Sequence, residues 1–250
     1  MSNSSIRRQS TRSRWQSIGP SLMTLAAVGV LLWRAPLFGA EAPVVIPPPS
    51  IDASRAAGPL QTAVLAGGCF WGVQGVFQHV RGVKQAIAGY AGGDRSTAQY
   101  ETVSSGTTGH AESVKVTFDP AEVTYGQLLQ IAFSVVYDPT QLNRQGPDTG
   151  TQYRSVIFYA DGTQERIAEA YIKQLDQAHV FPKAIVTRVD PLTGFYPAEA
   201  HHQDYLFHHP TAPYIAYNDM PKVENFQRIF PALYTDKPAL VGSPAERPAN

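Results

Sequence analysis

Residues 62–80 read TAVLAGGCFWGVQGVFQHV, and this stretch restricts the possible folds more than any other part of the chain. Thr62 to Ala66 is a short apolar run that ends in Gly67-Gly68, the pattern of a buried strand stopped by a turn. After the glycines, apolar residues recur at Phe70, Val73, Val76, Phe77 and Val80, which is helical spacing. Gly72 and Gly75 weaken that helix, but the period is kept. A strand therefore runs through two glycines directly into a helix, and Cys69 stands at the junction. It is the only cysteine in the chain, so no disulfide can form within it. A lone cysteine is commonly a small buried hydrophobe. The start of a helix, however, presents free N–H groups and a positive dipole end that favour a thiolate, the reactive form of the thiol.

The later segments extend the same architecture. VKQAIAGYAGG reads as a second strand ending in a glycine turn, and AESVKVTFDP alternates Val114, Val116 and Phe118 before Asp119-Pro120 stops it. TYGQLLQIAFSVV is an amphipathic helix with Thr124 in the capping position. QYRSVIFYA is a strand, TQERIAEAYIKQLDQAH is a helix with Ile167, Ala170, Tyr171 and Leu175 on one face, and AIVTRV is a strand. PAEAHHQDYLFHH reads as a short helix. The order β-α-β-β-α-β-α-β-α predicts an α+β fold: a two-layer sandwich with a mixed or antiparallel sheet, a ferredoxin-like βαβ core and helices packed on it.

The ends differ from this body. Arg7, Arg8, Arg12 and Arg14 precede an uncharged run from Trp15 to Trp33, and Ala40-x-Ala42 resembles a small-residue cleavage site. Residues 1–42 therefore read as a signal peptide or, since the run is long enough, an uncleaved membrane anchor. Either reading implies an exported body, periplasmic or secreted. Residues 43–59 are rich in proline and alanine and read as a disordered linker, residues 60–235 as the catalytic domain, and residues 236–250 as a flexible tail. Lysine plus arginine balances aspartate plus glutamate at 20 each, so there is no basic footprint for nucleic acid. A monomer is expected.

Three loop segments hold more polar side chains than a core needs. QYETVSSGTTGHAE contains Tyr100, His110 and Glu112; NRQGPDTGTQYRS contains Arg144, Asp148 and Tyr153; GFYPAEAHHQDY contains Tyr196, Glu199, His202 and Asp204. Taken in order, GGCFWG, YETVSSGTTGHAESVKVTFDP, YDPTQLNRQGPDTGTQYRSVIF and FYPAEAHHQDYL resemble the signature segments of the peptide methionine sulfoxide reductase A family. The likeness spans roughly residues 62 to 210.

The resemblance implies thiol-dependent reduction of the S epimer of methionine sulfoxide, free or in proteins, as a repair of oxidised proteins. It assigns Cys69 as the nucleophile, and Phe70 and Trp71 as the aromatic pair that receives the S-methyl group. It assigns Glu112 as the acid, Tyr100 and Tyr153 as donors to the sulfoxide oxygen, and Asp148 as a further site residue. It implies a Cys69 sulfenic acid intermediate and neither a metal nor an organic cofactor. Family members often carry resolving cysteines near the C-terminus. This chain has none, so an external thiol, either low-molecular-weight or a thioredoxin or glutaredoxin-like partner, must complete the cycle. Two smaller departures are Tyr137 before Asp138-Pro139, where histidine is more familiar, and His201 before His202, where tyrosine is common. Neither is expected to touch the chemistry.

Three rival readings are set against it. A cysteine hydrolase would need His110 or His202 within hydrogen-bond reach of Cys69. A zinc module would use His201, His202, His208 and His209, although their spacing matches no familiar structural site. A non-catalytic binder of oxidised proteins would need no reactive thiol beside an acid.

Overall fold

The structure, a computed structural model, describes residues 41–242. The proposed signal peptide or anchor falls almost wholly outside the described residues, as does the tail from 243 onward. Among the described residues no helix is long and apolar enough to cross a membrane.

A six-stranded sheet forms the first layer. Its strands are β1 (Gln61–Ala66), β2 (Val83–Ala91), β3 (Ala111–Phe118), β6 (Val156–Tyr159), β7 (Arg188–Pro191) and β8 (Phe195–Pro197), in the spatial order β7-β6-β1-β3-β2-β8. Every pairing is antiparallel except β6 with β7. The four central strands follow the ferredoxin-like order expected from the sequence, with β3 inserted between β1 and β2. β7 and β8 extend the two edges. Between β3 and β6, the two-residue strands β4 (Arg144–Gln145) and β5 (Asp148–Thr149) form a small separate hairpin.

The helices make the second layer: α1 (Phe70–Gln78), α3 (Tyr125–Ile131), α4 (Gly162–Gln177) and α6 (Met220–Ile229), with the short α2 (Tyr100–Val103) and α5 (Tyr205–His208) at the rim. Strand alternation sorts the core between the faces. Ala63 and Leu65 of β1 join Ala86, Ala88, Val114 and Val116 under the helices, while Val64 and Ala66 meet Ala91, Ala111, Val156 and Phe158 in a smaller cluster on the other face. α3 begins where the sequence places it: Thr124 accepts from the Gln127 N–H, and Gln127 accepts from the Thr124 N–H, a complete capping box.

Two segments differ from expectation. Residues 43–59, read as a disordered linker, instead form a strap across α3 and α4. The Val44 N–H donates to the Ser134 carbonyl at 2.9 Å, and Ile46 enters the core at 5% exposure. Gln130 Nε2, Tyr171 Oη and Gln174 Nε2 donate to the carbonyls of Ile46, Pro47 and Pro48 at 3.0, 2.7 and 2.9 Å. Proline lacks a donor but keeps its carbonyl, so helix side chains can satisfy an extended proline-rich segment without a sheet. Asp52 completes the attachment by accepting from Thr124 Oγ1 and from the Gly126 N–H. The second difference is α6, which the sequence reading leaves unassigned. Pro221 lies in its first turn, and Lys222, Val223 and Phe226 are its buried positions. Part of the expected tail is also held: the Ala239 N–H donates to the Gln78 carbonyl, and the Val241 N–H to the Asp204 carboxylate.

Candidate active site

The turn from β1 into α1 is fixed on both sides. Gly68 has φ of +85°, a left-handed conformation that disfavours any side chain, and Cys69 follows as the N-cap of α1. The Gly68 N–H donates to the Tyr153 carbonyl at 3.1 Å, and the Phe70 N–H donates to Glu112 Oε2 at 2.9 Å. Two residues distant in sequence from Cys69 therefore hold the backbone immediately before and after it. Tyr137 also packs against this turn: its ring lies where a Cβ on Gly67 would stand. Gly67 leaves room for that ring.

The electrostatics of the thiol also depart from the sequence reading. Cys69 is buried at 8% exposure. Burial pushes its thiol well above the usual value, Glu112, Asp219 and Asp148 push the same way, and the Trp71 N–H opposes them. The helix start therefore does not by itself leave a low-pKa thiol: desolvation and neighbouring carboxylates win. Glu112, at 2% exposure on β3, is pushed up to about 8, chiefly by burial, against the Phe70 N–H that favours its ionised form. At neutral pH the site therefore pairs a protonated carboxylic acid with a thiol.

The remaining predicted residues surround this pair. Tyr153 ends the short turn Thr151–Tyr153, and its phenol is raised by burial, then by Glu112, Asp148 and Cys69. Tyr100 opens α2, and its phenol is raised by burial, Glu112 and Cys69. Both phenols therefore stay protonated as donors at neutral pH. Asp148, on β5, accepts from Tyr214 Oη, and its carboxyl is raised by partial burial.

Phe70 and Trp71 divide the aromatic role unequally. Phe70 is fully buried, with ring centroids 5.9 Å from Tyr90 and 5.3 Å from His202, so it backs the pocket. Trp71 keeps partial exposure, stacks on Tyr205 at 4.0 Å and meets Tyr214 edge-on at 6.1 Å. An apolar aromatic wall of this kind suits a small methyl group and excludes water.

Several site residues had no role assigned from sequence. Glu199 accepts from Tyr90 Oη and from the Tyr100 N–H, both at 2.9 Å, so it sets the start of α2 and with it Tyr100. Tyr205 and Tyr214 form the far side of the aromatic wall. Gln74 and Gln78 of α1 bind the HHQD segment: Gln74 Oε1 accepts from the Asp204 N–H, and Gln78 Nε2 donates to Asp204 Oδ1. Asp219 and Lys222 form a buried ion pair. Glu199 and Tyr205 lie inside the FYPAEAHHQDYL segment, though without a role read from it; Gln74, Gln78, Tyr214, Asp219 and Lys222 acquire theirs through contacts between elements.

The hydrolase and zinc readings find no supporting geometry. His110 is buried, with Nδ1 accepting from the Gly93 N–H and Nε2 bonded to the Asp94 carbonyl, so both ring nitrogens are occupied by backbone. His202 packs against the Tyr100 and Phe70 rings and is held toward its neutral form by burial and His201. Among the described residues no group of three or more histidine, cysteine or acidic side chains is placed to hold a metal, and the four histidines near 201–209 do not converge.

The family model described as peptide methionine sulfoxide reductase matches residues 61–233. Peptide methionine sulfoxide reductase MsrA 2 of Mesorhizobium japonicum is 61% identical over 187 residues, covering 75% of this chain and 96% of that protein. The MsrA of Thermus thermophilus is 47% identical over 175 residues, 70% of this chain and 98% of that protein. Among solved structures, methionine sulfoxide reductase A of Corynebacterium diphtheriae superposes with a TM-score of 0.54 at 34% identity, covering 70% of this chain and 88% of that one.

Proposed function

The chain belongs to the peptide methionine sulfoxide reductase family, and from that premise we propose that Cys69 takes the oxygen of methionine (S)-sulfoxide with Glu112 as the acid. The activity is that of a peptide-methionine (S)-S-oxide reductase, and its use is the repair of oxidised methionine.

Sulfoxide oxygen is a poor leaving group until it is protonated. Glu112, neutral at pH 7, supplies that proton, while Tyr100 and Tyr153 donate hydrogen bonds to the same oxygen. Trp71, backed by Phe70 and flanked by Tyr205 and Tyr214, receives the S-methyl group. Asp148 fixes Tyr214. The Cys69 sulfur attacks the sulfoxide sulfur, its thiol proton replacing the one Glu112 gives to the oxygen, gives up two electrons and ends bonded to that oxygen as a sulfenic acid, and methionine leaves as the thioether. One external thiol then condenses with the sulfenic acid, releasing water and leaving a mixed disulfide. A second external thiol releases Cys69 and departs as the disulfide. Thioredoxin, a glutaredoxin-like protein or a low-molecular-weight thiol can fill this role. The cycle requires no metal or organic cofactor.

The single observation that carries this reading is a buried carboxyl, pushed up to about 8, bonded to the backbone next to the only cysteine. The test is turnover of the two sulfoxide epimers with dithiothreitol. The wild-type chain should reduce the S epimer alone, Cys69→Ser should be inactive, and Glu112→Gln should lose on the order of 10²-fold or more. Full activity in Glu112→Gln would refute the acid role. The basic N-terminal flank and the apolar run support an exported location for the reaction. Fractionation of cells expressing the full chain tests that, and a wholly cytoplasmic enzyme would refute it.

A further inference from the structure

We propose that Glu199 is a positioning residue of the reaction: it holds Tyr100 in place relative to Glu112, so that the phenol and the acid meet one sulfoxide oxygen. This deepens the reading above and rests on Tyr100 being a donor to that oxygen.

Tyr100 needs an anchor outside its own helix. It opens α2, which has four residues and is far too short to hold itself in water. Gln99, the N-cap, makes no side-chain bond to the helix. The Tyr100 N–H donates instead to Glu199 Oε1 at 2.9 Å, across 99 positions of sequence. At the other end of α2, Gln152 Nε2 donates to the Ser104 carbonyl at 3.1 Å, and Thr151 Oγ1 donates to the Gly106 carbonyl. Both donors belong to the turn Thr151–Tyr153. α2 is therefore held between the turn that carries Tyr153 and the carboxylate of Glu199.

Glu199 reaches Tyr100 from a fixed base. Gln203 clamps the segment to β2: its Oε1 accepts from the Ala88 N–H at 3.0 Å, and its Nε2 donates to the Ala88 and Ala198 carbonyls at 2.9 and 3.0 Å. The second carboxylate oxygen, Glu199 Oε2, accepts from Tyr90 Oη at 2.9 Å. Tyr90 lies on β2 directly opposite Glu112 on β3, so the two side chains stand on one face of the sheet. One carboxylate thus joins the strand pair that carries the acid to the helix that carries the phenol. A second route between them runs through rings. Tyr100 packs on His202 with centroids 4.3 Å apart, His202 on Phe70 at 5.3 Å, and the Phe70 N–H is bonded to Glu112. Both ring nitrogens of His202 are buried without a hydrogen-bond partner among the described residues, and Nε2 stands 4.0 Å from Glu199 Oε2, too far for a hydrogen bond. His202 therefore gives Tyr100 contact area but no directional bond. Direction comes from Glu199.

One cysteine permits one turnover without reductant, so the test is the single-turnover rate of methionine formation from methionine (S)-sulfoxide in the full chain. Glu199→Ala should slow that rate at saturating sulfoxide by roughly tenfold, while the half-saturating concentration stays within about twofold. Glu199→Gln keeps an acceptor for the Tyr100 N–H and offers Tyr90 Oη a donor, so it should recover to within about threefold of wild type. The two tyrosine backgrounds separate positioning from general damage. In Tyr153→Phe, Tyr100 is the remaining phenol donor, and Glu199→Ala should again cost about tenfold or more. In Tyr100→Phe there is no phenol to place, and the further loss should shrink to less than about twofold. Loosening of the fold would cost the same in every background. Equal losses in wild type, Tyr153→Phe and Tyr100→Phe, or a wild-type rate in Glu199→Ala, overturn the proposal. If Glu199→Ala does not fold, Tyr90→Phe decides: it frees Glu199 Oε2 and should slow the step by a few-fold wherever Tyr100 is present. A loss from Tyr90→Phe that persists in Tyr100→Phe overturns the proposal. A wild-type chain that forms no methionine refutes the reductase reading and this one with it. Wild-type turnover with background-independent losses refutes this one alone.

Discussion

Glu112 is ionised in an unfolded chain at neutral pH but holds its proton in the folded one. Its folded value of about 8, against an ordinary 4.5, sets the pH window. Below 4.5 both states are protonated and nothing is lost. As pH rises from 4.5 to 8, the unfolded state is progressively favoured, and above 8 the full penalty is present. At pH 7 the cost is on the order of 3 kcal/mol. Glu112→Gln should therefore raise the melting temperature at pH 7 to 8, by an amount equivalent to about 1–3 kcal/mol, with the gain closing toward pH 4.5. Thermal melts of both chains across this range measure it, and a pH-independent difference would contradict the linkage. The same substitution should remove activity, so the carboxyl we propose as the acid is held at a cost in stability. Cys69 stands out in the sequence because a lone thiol follows a glycine turn at a helix start, whereas Glu112 stands out only through the family resemblance of its segment. The raised thiol could not be read there, because it depends first on burial and then on Glu112, Asp219 and Asp148, all of which the fold alone brings about.

Most elements could likewise be read from periodicity. Thr124 capping α3 is a local signal, and that helix starts where it predicts; α4, read from Thr163 by its apolar period, begins at Gly162 with Asp161 capping it through the Thr163 and Gln164 N–H groups. The strap over 41–59 gives no such signal. Its attachments are proline carbonyls, one buried isoleucine and Asp52, and none recurs with a period. Glu41 extends the strap to the site, accepting from the Gly146 N–H and Gln141 Nε2 beside the hairpin that carries Asp148. Ile46→Ala should cost about 2–4 kcal/mol, the range for emptying a buried aliphatic site, measured by urea unfolding. Glu41→Ala should lower kcat modestly, by a few-fold, with little change in stability, because it frees the Asp148 hairpin and not the core. Equal activity in Glu41→Ala and wild type would count against that role.

Across the whole molecule the chain carries one cysteine. After one turnover without reductant, intact-mass measurement should find the chain heavier by a single oxygen, lost in Cys69→Ser. No disulfide-linked species should form unless thiol is added. The rate at saturating sulfoxide should then depend on the concentration of external thiol, and a rate independent of it would require a different route for the oxidised sulfur. The pairing of β1 with β3 brings Glu112 to the turn that bears Cys69, and Asp219, paired with Lys222 of α6, closes over Gly72 in the first turn of α1. The first approach could be inferred from the strand order; the second could not, since α6 carries no motif and its helical pattern is short.

Gly72 ties these scales together in a way that other genomes can check. Since a side chain there would displace the Asp219 carboxylate, the two positions should vary as a unit. Relatives that keep an aspartate at the second position should keep glycine at the first, and those with a larger residue at the first should have abandoned the acid, and with it the paired lysine. An alignment in which alanine or serine at position 72 coexists freely with Asp219 and Lys222 would show that the backbone can yield where this structure has it closed.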